Sequence, residues 1–431
     1  MRISGANTVL FRALEVISPR IGIVNHVLRA HGQTVDANIV AYSATAANPG
    51  AFTHGTVHLS GGAGVTWQDA FLATIGEALE RYGSTFYRTE RLVKARARDL
   101  PPERIIHPSR YALFADQQYE RPDFRFVRFT EDTELYWDTA TDLTDGVDKF
   151  VPATFIYMPY NADPKPISEQ ISTGFAAHTN PWQAVERAIC EVIERDAFTI
   201  AWTNLLPLPR LRLKGELEEL ADRLLPPHCE LCLLDMTTDI AVPGAVGLLK
   251  GKLDFGEFIA VCAASRPYMD EAVRKTLIEL CQSIPYFRAL LAEEHDYSDF
   301  NNVRKFVDHS LFYLYRKDLW HVFDPWFATE PTVEVPVPSH RETDPRKRVR
   351  MLVSALKRHA YNVLVKDKTP SDLRDAGFYL VRAVCPELIN LNGTYGEYYL
   401  GGKRLYETPR KMGFDISNTY ETLNHLPHPF P

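Results

Sequence analysis

Three stretches of the chain follow one template, and that repeat limits the possible folds more than any other feature. Setting Ala70 over Ala184 aligns AFLATIGEALER with AVERAICEVIER: Ile75 falls on Ile189, Glu77 on Glu191, Leu79 on Ile193, Glu80 on Glu194 and Arg81 on Arg195. A third stretch, AVRKTLIELCQS from Ala272, puts Leu277 under the isoleucines and Glu279 and Gln282 at the two acidic positions. Residues three or four apart share a helix face, so each stretch predicts a helix with a paired polar face. The helix starts are also marked. Thr66 three before Asp69 predicts a capping box, Asn180 then Pro181 a cap and first turn, and Pro267 precedes the third stretch. Strand-like runs alternate with these helices at 150–158, 229–236, 258–265, 361–367 and 378–385. That alternation predicts an α/β or mixed α+β fold, with the acidic helices packed on mixed sheets.

Like charges one turn apart repel. A single ExxER is most often a solvated face on which each glutamate meets an arginine. Here, however, Ala73, Gly76 and Ala78 surround the first pair and Ala188, Cys190 and Val192 the second, which leaves no wide polar surface. The carboxylates are therefore expected to face inward, where they need cations. Hard oxygen ligands in such numbers suit Mg²⁺, which keeps waters and substrate phosphates in its octahedron, and this predicts a nucleotide. Gly61, Gly62 and Gly64 in HLSGGAGVTWQDA precede the first acidic helix and are expected to form a loop whose N–H groups approach phosphate. The stretch lacks the GK[ST] of a P-loop, and glycine clusters usually mark a turn. Arg81, Arg195 and either Arg274 or Lys275 are candidates to face the phosphates, beside their plain role as partners of the glutamates.

Composition narrows the partners. The 431 residues are 45% hydrophobic with a net charge of -7 and both signs interspersed, so no basic field exists for nucleic acid or an anionic membrane. No apolar run approaches the roughly 18 residues of a membrane helix and no cleavable signal opens the chain, so a cytoplasmic location is expected. Six scattered cysteines fit free thiols. The CELC at 229–232 reads as a half-buried strand, since no second pair supplies the ligands zinc would need. Proline-bearing connectors at 97–109 and 330–340 mark no clear boundary, so residues 1–414 are expected to form one composite domain with a tail, 415–431. That tail ends NHLPHPFP. Alternating Pro427, Pro429 and Pro431 favour a stiff polyproline II rod. Such a rod could place the Pro431 carboxylate as a general base, where most termini are simply loose.

Taken together, GGAGVTWQDAFLATIGEALERY, STGFAAHTNPWQAVERAICEVIERDAF, DKTPSDLRDAGFYLVRAVCPEL and the closing PHPFP resemble the YcaO superfamily, specifically its azoline-forming cyclodehydratases, or D proteins. The likeness covers nearly the whole chain, from ISPRIGIV at 17–24. It implies an ATP-binding fold with Mg²⁺ held by Glu77, Glu80, Glu191 and Glu194. Nucleotide contacts are implied at Ser18, Gly62, Gly64, Arg81, Thr179, Gln183, Arg195, Arg274, Glu279 and Gln282, and a catalytic role for Pro427, Pro429 and Pro431. The implied reaction uses ATP to phosphorylate a backbone amide oxygen of a ribosomal precursor peptide, turning Cys, Ser or Thr into an azoline. Many relatives have lysine where this chain has Ala63, and Asn and Glu where it has Thr179 and Gln183, which bears on the nucleotide contacts. The resemblance also implies a homodimer within a larger hetero-complex, with a separate leader-peptide-binding protein and a flavin-dependent dehydrogenase as partners. A thioamide- or amidine-forming relative, and a scaffold that binds nucleotide without chemistry, stay open as alternatives.

Overall fold

The computed structural model describes residues 5–30, 36–47 and 59–430. The fold mixes helices and sheets, as expected. The chain divides into two compact units, one of Met1–Ala30, Val40–Val192 and Glu342–Leu388, the other of His31–Ile39, Ile193–Arg341 and Ile389–Pro431.

The first unit holds two sheets. Strands β1 (Val24–Arg29), β2 (Val40–Ala46) and β3 (Leu59–Gly64) form an antiparallel sheet in that order. A second sheet runs β4-β5-β13-β14-β7, built from β4 (Val93–Arg96), β5 (Glu134–Asp142), β7 (Phe175–His178), β13 (Leu364–Asp367) and β14 (Tyr379–Val384), with β6 (Asp148–Pro152) paired to β5. The first acidic helix, Trp67–Ser84, packs against β2 and β3 and also against β7. Its apolar face explains this position: Phe71, Ile75, Ala78 and Leu79 are buried in one cluster with Ala44, Phe175, Ala177 and Leu380. Thr66 caps it, accepting from the Asp69 N–H at 3.2 Å, and the Asp69 carboxylate takes the Thr66 hydroxyl at 2.8 Å, a cap without the reciprocal main-chain bond expected of a capping box.

The second unit is built on one five-stranded sheet, β11-β10-β9-β8-β12. Its strands are β8 (Arg210–Arg212), β9 (Glu230–Asp235), β10 (Gly244–Leu253), β11 (Gly256–Ser265) and β12 (Pro331–Glu334), the last parallel to β8. The third acidic helix, Met269–Leu290, lies on β10 and β11. It buries Ala272, Val273, Leu277, Leu280 and Ile284.

The second acidic helix, Pro181–Asn204, is a single element, and the chain passes from one unit to the other midway along it. Asn180 caps it, accepting from the N–H groups of Trp182 and Gln183 at 2.9 and 3.3 Å. Of the strand-like runs, 229–236, 258–265, 361–367 and 378–385 are strands. The run at 150–158 is strand only to Pro152, whose rigid ring precedes the 3₁₀ turn Ala153–Phe155. All six cysteines are free thiols.

Candidate functional site

In the first unit, the carboxylates at 77, 80 and 191 each accept a main-chain N–H. Glu77 takes that of Gly61 at 3.2 Å, Glu80 that of Ala177 at 2.8 Å and Glu191 that of Gly174 at 3.1 Å. The donors lie on β3 (Gly61), just before β7 (Gly174) and in β7 itself (Ala177), and the acceptors lie on two acidic helices. None of the three side chains is splayed into solvent; all are partly buried. Their fields overlap. Burial first, then the Glu191 and Glu77 charges, push the Glu80 carboxyl up to about 8, against the pull of the Ala177 N–H and the Arg81 guanidinium. Arg81 pairs with Glu77 at 3.3 Å, its expected plain role.

Local backbone chemistry explains the placing. Gly174 has φ +90°, a region that favours glycine, and a Cβ there would meet the Ala383 carbonyl oxygen at 2.3 Å. Only glycine fits between β14 and the N–H it presents to Glu191. The glycine-rich stretch differs from its expectation: it is strand β3, not a loop. A Cβ on Gly62 would stand 2.4 Å from the Thr74 main-chain nitrogen, and one on Gly64 2.5 Å from that of Ala70. These glycines let the strand press onto the first acidic helix, and Gly61 supplies the N–H for Glu77.

Ser18 accepts from the N–H groups of Arg20 and Ile21 within its own turn. Thr179 and Gln183 are partly buried at the start of the second acidic helix. Next to them, His178 accepts the Asn180 N–H at Nδ1, 3.0 Å away, and burial followed by the Arg187 charge pushes it down to about 4. The main-chain donors at 174 and 177 were not anticipated. The small residues of STGFAAH were the available signal, because only such residues let backbone approach a side chain so closely.

In the second unit, Glu194 is 1% exposed at its side chain. It accepts the Ser265 N–H at 3.3 Å and has Lys275 at 3.7 Å and Arg195 at 3.6 Å. Lys275 also pairs with Glu279 at 2.6 Å. Lys275 thus takes the cationic place on this face, while Arg274 is exposed and Gln282 partly buried. Packing on β10 and β11 decides between the two neighbours, since it turns position 275 toward Glu194.

The tail is docked within the second unit rather than loose. Pro427 and Pro429 are buried, Tyr313 donates to the Pro427 carbonyl at 2.7 Å, and Trp202 Nε1 donates to that of Leu426 at 3.3 Å. The Phe430 ring lies 4.1 Å from the Arg195 guanidinium and 4.8 Å from Phe198. Pro431 lies outside the described residues.

The carboxylate set suits a divalent cation. Burial first, and then the charges of Glu191 and Glu77, keep Glu80 protonated near neutral pH, and a hard cation would relieve the repulsive part of that shift. As they stand, no three His, Cys, Asp or Glu side chains among the described residues are close enough to hold an ion. Side-chain rotation would have to accompany its binding. No helix among the described residues is long and apolar enough to cross a membrane.

Comparison with known proteins agrees with this architecture. A family profile described as YcaO cyclodehydratase, ATP- and Mg²⁺-binding, matches residues 61–389. An uncharacterized protein from the tfuA 3′ region of Rhizobium leguminosarum bv. trifolii is 30% identical over 122 residues, 26% of this chain and 29% of that protein. A solved heterocyclase in complex with substrate and cofactor superposes with a TM-score of 0.79 at 21% identity, over 99% of this chain and 57% of its own. YcaO from Methanopyrus kandleri, bound with AMPPCP and Mg²⁺, gives 0.64 at 20% identity over 89% and 90%. A chain of the E. coli microcin synthetase McbBCD complex with pro-MccB17 bound gives 0.59 at 15% identity over 94% and 96%. At these identities the structures share the fold. The chain matches less than half the length of its curated relatives.

Proposed function

Because the chain belongs to the YcaO cyclodehydratase family, which binds ATP and Mg²⁺, we propose that it is an ATP-dependent cyclodehydratase acting on Cys, Ser or Thr of a ribosomal precursor peptide. One observation carries this reading: Glu77, Glu80 and Glu191, from two helices of one sequence template, each accept a main-chain N–H in the first unit, and burial, with the Glu191 and Glu77 charges, holds the Glu80 carboxyl up to about 8.

In the proposed reaction, the peptide's thiol or hydroxyl adds to the preceding carbonyl carbon and loses its proton. The carbonyl oxygen, now an oxyanion, takes the γ-phosphoryl group of ATP, releasing ADP. Phosphate then leaves with that oxygen as the amide nitrogen loses its proton, and the C=N bond of a thiazoline or oxazoline closes. Phosphorylation is needed because hydroxide is a poor leaving group and phosphate a good one. Bound Mg²⁺ would supply charge neutralisation for the phosphates, with Glu77, Glu80 and Glu191 as its ligands. Glu80 would hold the ion as a carboxylate, without the proton it keeps here up to about 8. Arg81, paired with Glu77 here, would be the cation nearest to bound phosphate on this face, and the Gly61, Gly174 and Ala177 N–H groups keep the three carboxylates oriented. Within the second unit, Glu194 and Glu279 form an acidic face of their own, with Lys275 and Arg195 as its cations.

By analogy with the McbBCD relative, the enzyme works within a hetero-complex, with a separate protein capturing the peptide. The test is incubation of the chain with ATP, Mg²⁺, its precursor peptide and that partner. Loss of one water per modified residue, matched by ADP and phosphate, supports the reading. ATP turnover with no loss of water contradicts it.

A further inference from the structure

The tail is held by an imidazole pair whose hydrogen bonds do not balance. His309, in the helix Phe306–Tyr315, and His428, in the tail, stack with ring centroids 3.7 Å apart and planes 2° from parallel. Both are buried. His309 Nδ1 lies 2.9 Å from the His428 carbonyl oxygen and its Nε2 3.1 Å from that of Gly393. His428 Nε2 lies 3.0 Å from the Asn392 carbonyl oxygen. Three carbonyls therefore face ring nitrogens, and each needs an N–H. Two neutral imidazoles carry only two.

A third proton would complete the set but would bury a charge with no free carboxylate beside it among the described residues. Asp308, beside His309, already accepts from the N–H groups of Arg304 and Lys305 and from the Tyr297 hydroxyl. On the tail side Arg195 is positive and disfavours charge on His428. The Asp308 charge favours a proton on His309, against the larger effect of burial, and the remaining titratable neighbours among the described residues are phenols: Tyr313, which donates to Pro427, and Tyr398, whose ring lies 6.4 and 6.2 Å from the two imidazoles. Burial accordingly pushes both histidines down, His309 to about 4.

We propose that His309 and His428 are positioning residues that form a proton-sensitive latch, holding the tail and, through Phe430, the Arg195 guanidinium, and that acidification releases it. The sign follows from linkage. Released into water, each imidazole regains its ordinary value of 6.5, so the detached state binds protons that the docked state does not. Docking is strongest above about 6.5 and weakens as pH falls below it, by up to about tenfold per histidine per pH unit until the docked pair itself protonates. The bearing on catalysis, through Arg195, rests on the proposed function; the latch does not.

The test is hydrogen–deuterium exchange of the 420–430 segment in the full chain without nucleotide, corrected for intrinsic exchange, from about pH 8 to about pH 5. The expected result is constant protection above about 7 and a fall of at least tenfold between about 6.5 and 5.5. His428→Phe keeps a ring in the stack but cannot take a proton, and should roughly halve the slope. Protection that is flat with pH in the unmodified chain overturns the latch, whether or not the variant folds. So does an unchanged slope in a folded His428→Phe protein. If the segment releases but kcat for ATP turnover does not fall over the same window, the latch stands and its action on Arg195 is overturned.

Discussion

The Ala177 main-chain N–H donates to Glu80 at 2.8 Å, which ties the strand preceding the second acidic helix to the face of the first. These residues are 97 positions apart. The bond anchors the first acidic helix to the strand that leads into the second, and it does so with a carboxyl that burial and two like charges hold protonated to about 8.

A proton should therefore leave when Mg²⁺–nucleotide binds. Below about 8 the ion-free carboxyl is mostly protonated, so affinity rises with pH, by up to about tenfold per unit, and levels off above 8. Calorimetry at pH 7 in buffers of different ionisation enthalpy should register release of close to one proton in the wild type and none in Glu80→Gln.

The same shift acts on stability with the opposite sense. A carboxyl whose folded value lies above its unfolded 4.5 favours the fold most at low pH, and that contribution is lost as pH rises from about 4.5 to 8. Glu80→Gln, with no proton to lose and an acceptor kept for Ala177, should melt higher than the wild type above pH 8 while losing activity. Thermal melts of both proteins across pH check this.

Gly62→Ala tests whether the glycine strand serves packing. Its Cβ would fall 2.4 Å from a main-chain nitrogen of the first acidic helix, which cannot rotate aside. The strand must lift, at about 1–3 kcal/mol. Urea denaturation should show that loss with an unchanged slope.

Asp196 follows the second ExxER and is buried against Arg404, with Nε at 2.9 Å and a terminal nitrogen at 2.8 Å, and it also accepts the Ile389 N–H. It is part of the structure of the second unit, not of the acidic face. Removing the cation with Arg404→Ala leaves a buried acid and should cost about 3–5 kcal/mol, again measured by denaturation. Arg404 also pairs with the buried Asp239 side chain at 2.9 Å, so replacement of all three by apolar residues of similar volume should recover most of it.

The acidic helices, their caps and their inward faces were legible because each rests on spacing within a few residues. Four of the five strand-like runs were legible for the same reason. The glycine stretch was not: with almost no side chains, β3 has no alternation to read, and its strand character comes from pairing with β2. Arg274 and Lys275 could not be separated, since sequence does not say which side of a helix meets a sheet. The change of unit within one helix leaves no compositional mark. The docking of the tail depends on contacts such as His309 with His428, 119 residues apart, which no local pattern encodes.

Calorimetric titration of AMPPCP into the purified chain, with and without Mg²⁺ and in wild type against Glu191→Gln, tests the ion-holding carboxylates most directly. The expected result is binding that requires Mg²⁺ and is weakened about 10–100-fold or more by the substitution. Equal affinity in both proteins, or binding indifferent to the metal, would contradict it.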